Sequence, residues 1–252
     1  MAATTFADSG LVNGTRYYYK VAAVNAAGTS PPSNEASATP QPPSAAGFVR
    51  RVGSLTASAA RTSSVLSVGT AGVGAGHALV LGLLLSSTTS VTGTVGARDT
   101  AGNTYAVARD VNDGAAGDRT VTLIALNAQP LAAGATISLT YPSSAETHLS
   151  ADEYAGVTGV DVSAGASGTG SAFTSGGTAP TSQANEILVG DVGAESGTSP
   201  VWASGWTALP TLAVSTDYLG TAYRLVTATG SFAASGTAGG QWMAGVVALR
   251  TG

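Results

Sequence analysis

Cysteine is absent from the 252 residues. That excludes a disulfide framework and thiol chemistry without excluding export from the cell. Charge is scarce as well: Asp, Glu, Lys and Arg make up 10% of the chain and the net charge is -4. Lys20 is the single lysine, and no basic cluster exceeds the pair Arg50-Arg51. Nucleic-acid binding needs a basic face to displace counterions, so nucleic acid is not expected as a partner. Histidine occurs only as His77 and His148, far apart, which with no cysteine leaves no transition-metal ligand set. Long apolar runs are also missing. The most apolar segment, residues 78–85, falls far below the roughly 18 residues of a membrane-spanning helix and reads instead as a central strand buried on both faces.

Glycine is abundant, at 34 residues, yet hydrophobic residues still reach 44%. Apolar content of that size supports a packed core and confines low complexity to turns. The apolar residues recur in strand-length runs at 48–52, 63–68, 78–85, 91–98, 104–111, 120–126, 136–141, 148–154, 186–192, 206–214, 218–227 and 242–249. Gly, Asn, Asp and Pro punctuate these runs, and no window shows a sustained helical stripe with caps. The expected class is therefore all-β, with residues 48–252 forming one large β-sandwich rather than two small domains. A faint echo links 78–85 to 186–193: each follows a Gly/Thr-rich turn and opens a new series of strands, which hints at two related halves.

The N-terminal stretch reads Leu11-Val12-Asn13-Gly14-Thr15-Arg16-Tyr17, an alternating strand, then Asn25-Ala26-Ala27-Gly28-Thr29-Ser30 and Pro31 before a final strand. This order resembles the last third of a fibronectin type III domain and covers residues 1–40. The resemblance implies that the earlier strands of that module lie upstream of Met1, and that Tyr17 is its tyrosine corner, with its hydroxyl reaching back to upstream backbone. Tyr19, Val21 and Ala23 would share the face of Tyr17. A strand pair this small buries little, so the segment is expected to dock on the sandwich or to self-associate through its free edge. Pro40, Pro42 and Pro43 make residues 41–47 a semi-rigid linker.

Further on, Asp99-Thr100-Ala101-Gly102-Asn103-Thr104-Tyr105, Glu153-Tyr154-Ala155-Gly156, Val160-Asp161, Gly205-Trp206-Thr207 and the closing run from Trp242 to Leu249 resemble a bacterial extracellular β-sandwich found beside fibronectin type III modules. The resemblance implies a jelly-roll-like accessory module, secreted or on the cell surface, that serves adhesion or binds polysaccharide or cell-surface glycan. A structural spacer, or a glycan hydrolase or lyase on the same scaffold, are the other classes left open. Physically, Asp99 to Asn103 is a tight turn, with Gly102 supplying positive φ and the Asp side chain bonding backbone two residues on.

Catalytic groups are hard to assemble. Asp152 and Glu153 are adjacent on a strand and point to opposite faces, as do Glu186 and Asp191 at odd spacing. Neither pair forms the same-side dyad that glycan hydrolysis needs. No Gly-x-Ser-x-Gly elbow is present. Calcium is the one metal kept open, at the oxygen-rich, Gly-containing loop of Asp110, Asn112, Asp113 and Asp118, whose alternative is a solvated hairpin tip. No other cofactor is expected. Aromatic residues crowd the last quarter of the chain. Trp202, Trp206 and Tyr218 are the expected ligand contacts, because flat rings stack on sugars and the two Trp lie in a Ser/Gly/Pro-rich stretch. Trp242 opens an alternating strand and is expected in the core.

Overall fold

The computed structural model describes residues 6, 8–40, 45–114 and 117–252. They are all-β, with no helix among them. By contact density the chain divides into two compact units, Met1–Ser44 and Ala45–Gly252.

In the first unit, β1 (Tyr17–Tyr19) pairs antiparallel with β4 (Ala36–Ala38), and β2 (Val24–Asn25) pairs with β3 (Gly28–Thr29). The Val12 N–H donates to the Tyr17 hydroxyl at 2.9 Å, so this hydroxyl does reach upstream backbone. The Tyr19 hydroxyl donates to Asp8 Oδ2 at 3.1 Å. Tyr17 and Tyr19 share one side of β1 and are half-buried, while Tyr18 on the other side is 61% exposed. The expected shared face stops there, because the strand is three residues long and Val21 and Ala23 are exposed outside it.

Among the described residues the second unit holds sixteen strands: β5 (Gly47–Ala57), β6 (Arg61–Ser67), β7 (Ala78–Thr88), β8 (Gly96–Asp99), β9 (Ala106–Asn112), β10 (Arg119–Ala125), β11 (Thr136–Ala155), β12 (Val157–Thr169), β13 (Ala172–Thr174), β14 (Asn185–Glu195), β15 (Val201–Trp202), β16 (Thr207–Ala208), β17 (Leu212–Val214), β18 (Asp217–Thr227), β19 (Ser235–Thr237) and β20 (Gln241–Thr251). The long β11 organises the first half. Its register breaks between Thr140 and Ser144, so its first part pairs with β6 and β8 while its second part pairs with β5 and β7. The sheet thereby folds over itself and encloses a core of Leu66, Leu79, Leu81, Leu83, Leu85, Val121, Leu123, Ile137, Leu139 and Leu149.

The second half repeats this plan. The first half has sheet order β5-β11-β7-β10-β9, and the second has β12-β20-β14-β18-β16. Counting strands from the start of each half, with β16 and β17 taken as the two pieces of one interrupted strand, both main sheets run first, last, third, sixth, fifth. The cover layer is β6 and β8 on the early part of β11 in one half, and the three-stranded sheet β13-β19-β15 in the other. Strands β19 and β20 do separately what β11 does in one piece. The enclosed residues are Phe173, Leu188, Val192, Trp242, Ala244, Val246 and Ala248.

The expected single sandwich is thus two sandwiches packed back to back along their main sheets. The apolar runs of β7 and β14 make this possible, because a strand buried on both faces can serve two cores. In β7, Leu79, Leu81, Leu83 and Leu85 fill the folded-over core, while Ala78, Val80 and Leu84 face the other half. The sequence echo falls on these two topologically matched strands, but its shared glycine is out of phase. A Cβ on Gly82 would meet Thr221 of the other half, whereas one on Gly190 would meet Trp202 and Trp206 of its own.

The Asp99 turn has the expected form. Asp99 Oδ1 accepts the N–H of Ala101 at 2.9 Å, Oδ2 accepts Asn103 Nδ2 at 2.8 Å and the Tyr105 hydroxyl at 2.8 Å, and Gly102 has φ +79°. These donors hold the Asp99 carboxyl below its ordinary range despite partial burial. Asp99→Ala is expected to cost about 1–2 kcal/mol in urea unfolding, since it leaves the Asn103 N–H and the Tyr105 hydroxyl without their acceptor.

Candidate functional site

The two halves meet along a seam that grades from apolar to polar. At one end Phe48 stacks on Tyr223 with centroids 5.1 Å apart and Tyr154 meets both edge-on, beside Val80, Ile187 and Leu249. Midway, Arg51 joins the sheets: its Nε and Nη2 grip Asp152 at 2.9 and 3.1 Å, and Nη2 also donates to Thr221 Oγ1 at 2.6 Å. Close by, the Thr122 hydroxyl donates to the buried Asp191 carboxylate, and burial pushes the Asp191 carboxyl up to about 6.

At the polar end the seam opens into a cleft of about 710 Å³. Ser87 and Asp118 reach it from the first half; Thr169, Glu195, Ser196, Thr216, Asp217 and Gln241 reach it from the second. Its position follows from the strand pattern, since Glu195 is the last residue of β14, Asp217 the first of β18 and Asp118 immediately precedes β10. Glu195 is buried and accepts a 2.6 Å hydrogen bond from Ser86 Oγ across the seam. Burial first, then its hydrogen bond with Asp217 and the nearby charges of Asp118 and Asp217, push the Glu195 carboxyl up to about 9. Asp118 accepts the Ser87 N–H at 2.8 Å and is also raised, by burial and by Asp113 and Asp217. Asp217 Oδ1 accepts the Ser196 N–H at 3.0 Å. His148, fully buried, contacts the Asp217 carbonyl through Nε2 at 3.1 Å, and burial lowers its pKa. No Lys or Arg lines the cleft. The raised Glu195 carboxyl can donate a proton within this group of carboxyls.

The residues proposed for calcium are dispersed among other partners. Asp110 forms an ion pair with Arg119, whose Nη1 also donates to Gly93 O. Asn112 Oδ1 accepts the Gly114 N–H at 3.1 Å. Asp113 Oδ1 accepts the Asp118 N–H at 3.3 Å and Oδ2 accepts Gln241 Nε2. Asp118 turns into the cleft. Among the described residues no group of three or more His, Asp or Glu side chains is arranged to hold a metal ion.

Trp202, Trp206 and Tyr218 sit on the outer side of the β14 sheet, and all three are half-buried. Trp202 meets Phe173 edge-on at 5.3 Å and Trp206 at 5.2 Å with a 39° tilt. Both indoles lie over Gly190, where a Cβ would come within 2.8 Å of Trp202 and 3.0 Å of Trp206. Both indoles thus pack on the sheet, and both keep part of their surface in solvent. Trp242 is core, as its strand pattern requires.

The carboxyl pairs judged unpromising from strand parity stay apart. Asp152 faces the seam, whereas Glu153 on the opposite side accepts from Arg50 Nε and the Gly74 N–H, each at 2.6 Å, and contacts His77 Nδ1 at 2.6 Å. Asp191 also faces the seam; Glu186 instead lies buried beside Asp161, and burial with that neighbour pushes it up to about 7. Sequence reasoning missed Glu195 and Asp217 as a pair. They are 22 positions apart and only strand order makes them neighbours.

Fold and cleft together define an all-β protein of two matched sandwiches with a polar, anionic cleft at their junction. No protein-family model, no curated protein and no solved structure matches the chain.

Proposed function

We propose that residues 45–252 are a non-catalytic glycan-binding module of an extracellular protein, with the seam cleft as the site. The observation that carries this reading is the cleft itself. Its volume lies within the range of small-ligand sites, it stands at the junction of two packed bodies, and it presents hydroxyl, amide and carboxyl groups at close quarters. Such groups answer the hydroxyls of a sugar, each of which both donates and accepts. The strand order of each half, with first, last, third and sixth strands in one layer and second, seventh and fourth in the other, resembles that of a jelly roll, an architecture used by lectin domains, apart from the fifth strand, which pairs with the sixth. This last support is analogy at the level of fold. The bond from Val12 to Tyr17 supports reading residues 6–40 as the end of a fibronectin type III module, a common neighbour of such domains.

Hydrolysis is the weaker reading. Carboxyls that straddle a glycosidic bond stand at least about 5 Å apart, whereas Glu195 and Asp217 are close enough to raise the Glu195 carboxyl through a hydrogen bond.

Thr216 is exposed on the cleft rim, so Thr216→Trp fills the opening without entering a core. In affinity electrophoresis through neutral polysaccharides, the wild type is expected to be retarded and Thr216→Trp to bind at least about tenfold more weakly, with an unchanged unfolding midpoint. Retardation by no polysaccharide, or equal retardation of the variant, would overturn the assignment.

A further inference from the structure

On the outer side of the second half, away from the seam, a shallow cavity of about 200 Å³ is lined by Arg224, Leu225, Val226, Thr227, Ala228 and Phe232. Its one charged group is Arg224. Among the described residues this guanidinium has no ion pair and no hydrogen bond; its one specific contact is with the Phe232 ring, 5.9 Å from the centroid. Three of the eight arginines of this unit are engaged differently: Arg50, Arg51 and Arg119 are each committed to a carboxylate.

Arg224 is nevertheless held in place. A Cβ on Gly205 would lie 3.6 Å from the guanidinium carbon, so the bare backbone of Gly205, at φ +90°, forms its other wall. Phe232 is itself pinned, since its N–H donates to Thr178 Oγ1 at 3.1 Å and its carbonyl accepts the Thr178 N–H at 2.9 Å. Trp206, next in sequence to Gly205, packs in the same cluster as Phe232 and is half-buried. The result is a pre-positioned, uncommitted guanidinium on an aromatic ring; Trp206 does not line the cavity, but it precedes Thr207, the strand partner of Tyr223, and keeps part of its surface in solvent.

We propose that Arg224, Phe232 and Trp206 form a binding site for an oxyanion-bearing saccharide, the guanidinium taking the carboxylate or sulfate and the indole edge taking the C–H surface of the sugar. A guanidinium stays charged at every physiological pH and offers paired N–H donors matched to an oxyanion. Stacking on Phe232 fixes its plane before the ligand arrives, which lowers the ordering cost of binding. An anionic chain is turned away from the cleft by Asp118 and Asp217, whereas no carboxylate lines this cavity. The two sites therefore differ in the sign of charge they accept.

The test uses the full chain with polygalacturonate, dextran sulfate and neutral dextran, read by gel retardation and by tryptophan emission, in wild type, Arg224→Gln, Arg224→Lys and the exposed-charge control Arg98→Gln. The wild type and Arg98→Gln are expected to bind one or both anionic polymers with a change in emission, and more tightly than dextran. Binding of polygalacturonate alone identifies a carboxylate as the ligand group, and binding of dextran sulfate alone identifies a sulfate. Arg224→Gln should lose at least about tenfold in affinity, and Arg224→Lys should recover part of it, because charge is kept but the planar fork is not. Equal binding by Arg224→Gln, or no preference of the wild type for either anionic polymer, would overturn the proposal. Since Thr216→Trp lies in the cleft, it should leave this binding unchanged, so failure at one site is distinguishable from failure at the other.

Discussion

Trp202→Ala is expected to lower the free energy of unfolding by about 3 kcal/mol, the scale of removing a large aromatic side chain from a packed site. Trp202 touches both apolar clusters beneath the β13-β19-β15 sheet, with Phe173 on one side and Trp206 on the other. Gly190 has no side chain with which to fill the space left behind, and the cover sheet is short, so collapse around the cavity is limited. Trp202→Phe should cost much less. It keeps ring packing against Phe173 and removes the indole N–H, which is buried with no hydrogen-bond partner among the described residues. Chemical denaturation of the three proteins measures this directly. An alanine variant with an unchanged midpoint and lost polysaccharide retention would make the indole a ligand platform instead of a core element.

The second large effect is on pH dependence. The Glu195 carboxyl is raised to about 9 in the folded protein, so between its ordinary range near 4.5 and about 9 the folded state holds a proton that the unfolded chain has released. Stability from this group is fully present below that window and is lost progressively as pH rises through it. Asp118 and Asp191 are raised too and act in the same direction, Asp191 over a narrower interval ending at about 6. His148 acts oppositely: its lowered pKa favours the folded state above its ordinary value near 6.5. Asp99, Glu153 and Asp161 are lowered, so their contribution disappears as pH falls below the ordinary carboxylate range. The unfolding midpoint should therefore peak in mildly acid solution and decline toward pH 9. Glu195→Gln, which keeps a polar group beside Ser86 and cannot ionise, should flatten that decline. A wild-type midpoint that rises steadily from pH 5 to pH 9, or an identical decline in Glu195→Gln, would remove Glu195 from the seam's proton balance.

Much of the local structure is legible in the residues. The strand runs at 78–85, 186–192, 218–227 and 242–249 all lie on observed strands, and that at 120–126 does so up to Ala125. The Asp99 turn has its expected hydrogen bonds, and strand parity places Asp152 and Glu153 on opposite sides. The expected strand at 206–214 is instead broken into β16 and β17, because Pro210 lies between them and cannot donate to a ladder. The duplication shows as little more than an echo, since a repeated strand order needs only an apolar pattern and not repeated residues. The ring-rich stretch at Trp202 and Trp206 reads from sequence as a surface platform. Only the structure reveals Gly190 beneath it and Phe173 beside it, 29 positions before Trp202.

Alternation of side chains along each strand, with Gly and Asp at the turns, is local chemistry, and it alone determines that this chain is all-β, where many of its strands begin and end, and which residues share a face. Tertiary structure decided the rest: β11 bending so that one strand serves two sheets, the two halves packing back to back, and Ser86, Asp118, Glu195 and Asp217 meeting at the end of the seam. Those contacts span up to 109 positions, from Ser86 to Glu195. Their energy comes from burial and charge between strands adjacent only in space, which no local pattern encodes.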